Sequence, residues 1–149
     1  MPTDVHPFLR RLVTATNAHD LDALVDCFTP EYRNEAPAHP SRAFDGREQV
    51  RSNWRQIFAF VPDVHAEVVN HAVDGDQIWS EWEMTGTRLD HTRHHLRGVI
   101  VFGVDGERAA LARFYLEPVD EATSSVNEAV ANQIHSGTSA WPPSRPASR

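Results

Sequence analysis

The chain contains no lysine: all 14 of its basic residues are arginine. Schiff-base formation and lysine-held cofactors are therefore excluded, because the side-chain amine they require is missing. Cysteine is almost as scarce. Cys27 stands alone, so neither an intrachain disulfide nor a multi-thiolate metal centre can be built. It falls on the apolar stripe of a predicted helix, where a buried, inert thiol is expected. Excess positive charge is missing too. A net charge of −7 offers little to a phosphate backbone or an anionic lipid surface, so neither nucleic acid nor membrane is expected as a partner. No apolar run approaches the ~18 residues of a membrane span. The opening "MPTDVHPFLRR" lacks the basic-then-apolar layout of a secretory signal. A soluble, cytoplasmic protein is expected.

What is present suits one domain with a single core: 149 residues, 40% hydrophobic and 23% charged. Phe8, Leu9, Leu12, Val13 and Thr16 recur at helical spacing behind a proline. Asp20 is placed to cap a second helix with Leu21, Leu24, Val25 and Phe28 on its stripe, ending before Pro30. "EYRNEAP" reads as a short strand and "AHPSRAFDG" as a loop. A third helix carries Val50, Trp54, Ile57, Phe58 and Val61 on one face and stops at Pro62. The period then changes to two. "VHAEVVNHAV", "QIWSEWEMTGT", "HLRGVIVFGV" and "ALARFYLEPV" read as four strands, with turns at Asp74-Gly75 and Asp105-Gly106. Helices followed by a meander predict an α+β fold: a curved antiparallel sheet packed against three N-terminal helices. The domain is expected to span residues 1–120. A weak C-terminal helix over 121–136 and a disordered, dispensable tail over 137–149 follow.

"RLDHTRHHLRGV" places Asp90, His91, His94 and His95 close together. A metal site needs imidazoles that converge, with partners fixing their tautomers. A polar loop over residues 88–94, without glycine or proline and carrying Arg88 and Arg93, predicts solvated side chains and no metal site.

The segments "TNAHDLDALVDCFTPEY", "GREQVRSNWRQIF", "WEMTGTR" and "LRGVIVFGVDG" occur in this order across residues 8–119. Together they resemble the SnoaL-like branch of the nuclear transport factor 2-like superfamily. The resemblance implies a cone of curved sheet closed by helices, with a pocket at its wide end. Similar proteins include polyketide cyclases, ketosteroid isomerases, epoxide hydrolases, dehydratases and non-enzymes, so fold alone does not fix the activity. The acids such enzymes use fall on other residues here. The isomerase base falls on Ala36, and its oxyanion donors fall on Leu12 and Ile100. The essential aspartate of the hydrolases and cyclases falls on Phe114. Glu35 and Glu117 are the acids that a one-residue shift along a strand would turn inward.

The strand alternation offers a check that needs no relative. With even positions inward, Ser80, Trp82, Met84, Phe102 and Phe114 line the interior together with Ile78, Ile100 and Leu116. Glu81, Glu83, Arg97, Arg113, Tyr115 and Glu117 then face outward. The opposite assignment would make the charged set the site. Polar handles on the apolar side are Tyr32, Asn34 and His39, the last a candidate general base because an unperturbed imidazole exchanges its proton near neutral pH. Trp54 and Trp82 are either core or ligand platform. The expectation is a protein that binds an apolar small molecule through Trp54, Ser80, Trp82, Met84, Phe102 and Phe114. Chemistry, if any, is cofactor-free cyclisation, isomerisation or dehydration by Tyr32, Asn34 or His39. The alternative is a non-catalytic binding or dimerisation module. A half-aromatic outer sheet face with Trp79 and Tyr115 predicts a homodimer.

Overall fold

The computed structural model describes residues 5–135; the expected tail over 137–149 lies outside them. Pro7 occupies the first turn of helix α1 (Pro7–Asn17), where its missing N–H costs nothing, and His6 Nδ1 accepts from the Phe8 N–H. Phe8, Leu9, Leu12, Val13 and Thr16 are its buried stripe. Helix α2 (Leu21–Val25) is capped by Asp20, whose carboxylate accepts from the Ala23 N–H at 3.1 Å. It is shorter than its stripe suggests. Phe28 begins strand β1 (Phe28–Glu35) instead of closing the helix. Pro30 disfavours helical backbone just before it, and Phe28 gains a ring contact with Tyr32 at 4.7 Å once extended.

A 3-10 turn at Pro40–Arg42 leads to strand β2 (Phe44–Asp45) and helix α3 (Arg47–Phe60). Strands β3 (His65–Asp74), β4 (Gln77–Thr87), β5 (Arg93–Asp105) and β6 (Arg108–Pro118) complete a six-stranded, curved open sheet in the order β2-β1-β6-β5-β4-β3. The fold is α+β, as expected. One pairing departs from the antiparallel pattern: β1 runs parallel to β6, with Asn34 opposite Ala112 and Glu35 opposite Arg113.

Strand β5 also begins earlier than its apolar run suggests. The connecting loop closes on itself, Arg88 donating to the Thr92 hydroxyl and the Arg93 carbonyl, and Asp90 accepting from Thr92. Arg93 and His94 are thereby left to pair with Thr87 and Gly86.

Through most of β4, β5 and β6 the even-numbered positions face the core. Ile78, Ser80, Trp82, Ile100, Phe102 and Ala112 are buried, and the Phe8 ring of α1 meets Phe102 at 4.9 Å. Trp79 and Tyr115 lie on the opposite face, 46% and 42% exposed. Asn17, at the end of α1, exchanges two hydrogen bonds with the backbone of Ala66 on β3, at 2.9 and 2.7 Å. Its amide thus stands in for a neighbouring strand. Among the described residues no helix is long and apolar enough to cross a membrane. In residues 120–135, helix α4 (Val126–Ile134) opens with a capping box between Ser125 and Glu128.

Candidate functional site

Helix α3 presents Gln49, Asn53, Trp54 and Ile57 toward the inner sheet face, and a cavity of about 560 Å³ lies between them. That size suits a drug-sized molecule. Most of its wall is apolar: Phe28, Phe44, Val50, Trp54, Met84, Leu96, Phe114 and Leu116 all contribute. Of the residues expected to line a site, Trp54, Met84, Phe114, Tyr32 and Asn34 are on this wall.

Ser80, Trp82 and Phe102 are not on the wall. They share the inward parity but lie deeper, under the helices. The Ser80 hydroxyl donates to the Ile100 carbonyl at 2.7 Å and accepts from Trp82 Nε1 at 2.8 Å. The serine that interrupts the apolar set therefore serves the indole beside it, and no polar atom of the pair is left over. His39 sits in the loop after β1, off the wall, and bonds Glu117 Oε2 at 3.0 Å. Glu117 itself lines the cavity.

Four of the polar groups on the wall form two pairs. The Tyr32 hydroxyl donates to Asn34 Oδ1 at 2.7 Å, which leaves the Asn34 amide N–H₂ as the donor of that pair. Burial pushes the Tyr32 phenol far above its ordinary value, so it stays neutral. On α3, Gln49 Nε2 donates to Asn53 Oδ1 at 2.9 Å. Ala36 lines the cavity as well. Ile100 and Leu12 are buried in the core.

The histidine loop resolves into separate fates. His91 is exposed with φ +72°. His94 lines the cavity, and His95 bonds Glu83 at 2.6 Å instead. No group of three or more histidine, cysteine or acidic side chains converges as metal ligands among the described residues. Burial, reinforced by the charge of Arg88 and opposed by Asp63, holds the His94 pKa below 6.5. Cys27 is buried, its thiol pushed up by desolvation and bonded to the Ala23 carbonyl.

Sequence reasoning missed Arg42, Gln49, Asn53 and His94. Two signals were there. Gln49 and Asn53 lie one helical turn apart, leading to Ile57 and beside Val50 and Trp54. His94 continues the even set Leu96, Gly98, Ile100 back by one step.

Comparison with solved structures agrees with the fold. A hypothetical protein of ketosteroid isomerase-like fold from Catenulispora acidiphila, in complex with trimethylamine, superposes with a TM-score of 0.64 at 18% identity, covering 73% of this chain and 85% of that one. An LEH-like epoxide hydrolase from M. tuberculosis gives 0.64 at 17% identity, covering 74% and 80%. A cystatin-fold protein from Novosphingobium aromaticivorans gives 0.59 at 23% identity, covering 72% and 93%. No curated protein matches the chain. The family model of the SnoaL-like domain matches residues 9–112, from the first helix to the last strand. With the curved sheet, the helices above it and this match together, the chain belongs to the SnoaL-like domain family.

Proposed function

We propose that the chain binds a small, mainly apolar molecule in the cavity between α3 and the sheet. The observation that carries this reading is the cavity itself: about 560 Å³, walled largely by apolar and aromatic side chains, with few polar groups among them. Burying apolar surface there yields roughly 25 cal/mol per Å² before the costs of association are subtracted. The Asn34 N–H₂ is placed to meet an acceptor oxygen of the ligand. Binding requires no metal or cofactor, and the same reading has the chain act in the cytoplasm as a homodimer.

The test uses N-phenyl-1-naphthylamine, a neutral apolar fluorophore. Saturable binding at one site per chain is expected, and Ala36→Trp, which fills the cavity, should abolish it without lowering the melting temperature. Absence of saturable binding, or binding unchanged in Ala36→Trp, would overturn the reading.

A second reading, cofactor-free acid–base catalysis, is favoured by the Glu117–His39 pair. Glu117 is the carboxylate on the cavity wall, and His39 holds it from behind. In this reading Glu117 removes a proton next to a carbonyl whose oxygen rests on the Asn34 amide, and returns it to the enolate. Proton NMR of 2-tetralone in deuterium oxide reads this step. Exchange of its α-hydrogens accelerated by the protein and lost in Glu117→Gln supports catalysis. An unaccelerated rate, despite demonstrated binding, leaves the binding module.

A further inference from the structure

His94 has no part in either reading, yet it is the histidine on the cavity wall. Four other histidines of the fold are already bonded. His6 accepts from Phe8, His19 meets the Val64 carbonyl, His39 meets Glu117 and His95 meets Glu83. The His94 ring nitrogens have no hydrogen-bond partner among the described residues. The residue is half-buried, and Leu96 of its own strand and Met84 of the neighbouring strand share the wall with it.

We infer that His94 is the hydrogen-bonding partner of the ligand, and that the ligand is a neutral molecule carrying a hydroxyl on an aromatic or alicyclic frame. The inference rests on the cavity being the binding site. A ligand that fills the space beside His94 strips water from an imidazole with nothing else to bond, a loss that only a polar group on the ligand can make good.

The type of group follows from the ring and from what faces it. The charged groups acting on His94 are Arg88 of the β4–β5 loop, which with burial lowers its pKa, and Asp63 of the α3–β3 loop, which opposes them without reversing the shift, so the imidazole is neutral at neutral pH. A neutral imidazole has one donor and one acceptor nitrogen. A carboxylate or carbonyl satisfies only the donor, and a carboxylate gains no ion pair. A hydroxyl donates to one tautomer and accepts from the other, so it satisfies whichever nitrogen is turned toward it. Trp54, Ile57, Met84 and Leu96 supply apolar wall for the carbon frame. The rival selector on the same wall is Arg42, which makes no ion pair among the described residues and would favour a carboxylate.

Calorimetric titration with naphthalene, 2-naphthol and 2-naphthoate separates these possibilities on one carbon frame. In the native sequence 2-naphthol should bind about tenfold more tightly than naphthalene, although it leaves water less readily, and 2-naphthoate no more tightly than naphthalene. His94→Phe should bring 2-naphthol to the affinity of naphthalene while leaving naphthalene within about twofold of its original value. His94→Gln, which keeps a donor and an acceptor, should retain part of the preference and serves if the phenylalanine variant fails to fold. Arg42→Gln should change neither. Equal affinity for naphthalene and 2-naphthol in the native sequence overturns the inference, as does a hydroxyl preference that survives both His94 substitutions. A preference for 2-naphthoate that Arg42→Gln removes overturns it in favour of Arg42. If naphthalene binds and the hydroxyl adds nothing, only the role of His94 falls. If none of the three binds, the cavity reading falls with it.

Discussion

Ser80 is 1% exposed and spends its hydroxyl on Trp82 and Ile100. Ser80→Ala should cost about 1–3 kcal/mol in urea denaturation, since the Trp82 N–H is left buried without an acceptor. Binding of N-phenyl-1-naphthylamine should be unaffected. A loss of probe affinity at unchanged stability would instead put Ser80 on the wall. Histidine shapes the pH response at the same scale. His94 is held below 6.5 by burial and Arg88, and His6 by burial and the nearby His71. A histidine with a depressed native pKa binds protons more readily in the unfolded chain. Its contribution is therefore fully present above pH 6.5 and shrinks as pH falls from there toward the native pKa. Stability should drop on acidification below pH 6.5, and His94→Phe should show a shallower drop. An identical acid limb in both proteins would contradict this.

Among the elements, β5 depends on one backbone position. Gly98 has φ +151°, and a Cβ there would collide with the Tyr115 carbonyl on β6. Gly98→Ala should destabilise the protein by about 3 kcal/mol or more, or prevent folding, as read by melting temperature and soluble yield. Asn17 stitches α1 to the edge strand β3. Asn17→Leu abandons both bonds to Ala66 and should cost about 2 kcal/mol by the same measurement. Elements of this kind were legible where one period governed a long segment. The α1 stripe, the Asp20 cap and the alternation through β4 and β6 are all written in the residue order. Three features were not. Phe28 fits a helical stripe and a strand face equally well, and long-range pairing with β6 decided for the strand. His94 looks like loop because polar residues surround it, whereas the side-chain bonds of Arg88 and Asp90 shorten the loop. Trp82 and Phe102 share parity with Met84 and Phe114, and parity tells which side a residue faces but not how deep it lies. Depth depends on where α1 and α3 settle over the sheet, which alternation does not encode.

For the molecule as a whole, the outer sheet face remains to be covered. Trp79 and Tyr115 stand there beside the Arg97–Glu81 and His95–Glu83 pairs. Light scattering at micromolar concentration should give twice the chain mass, and Trp79→Glu should reduce it to the chain mass. A single-chain mass for the native sequence would refute the homodimer. The parallel pairing of β1 with β6 carries a different consequence, for the time course of folding. The meander β3–β6 joins neighbours through short turns, so its contacts close small loops. β1 pairs with β6 across a long stretch of chain, and His39 and Glu117 are 78 positions apart. Non-local pairing of that kind costs more chain entropy than local pairing and is expected to follow it. The wall bearing Tyr32, Asn34 and Ala36 should therefore be the last part of the cavity to assemble and the first to open. Substitutions in β1 should accelerate unfolding and leave the refolding rate nearly unchanged, while substitutions at the β4–β5 pairing should slow refolding.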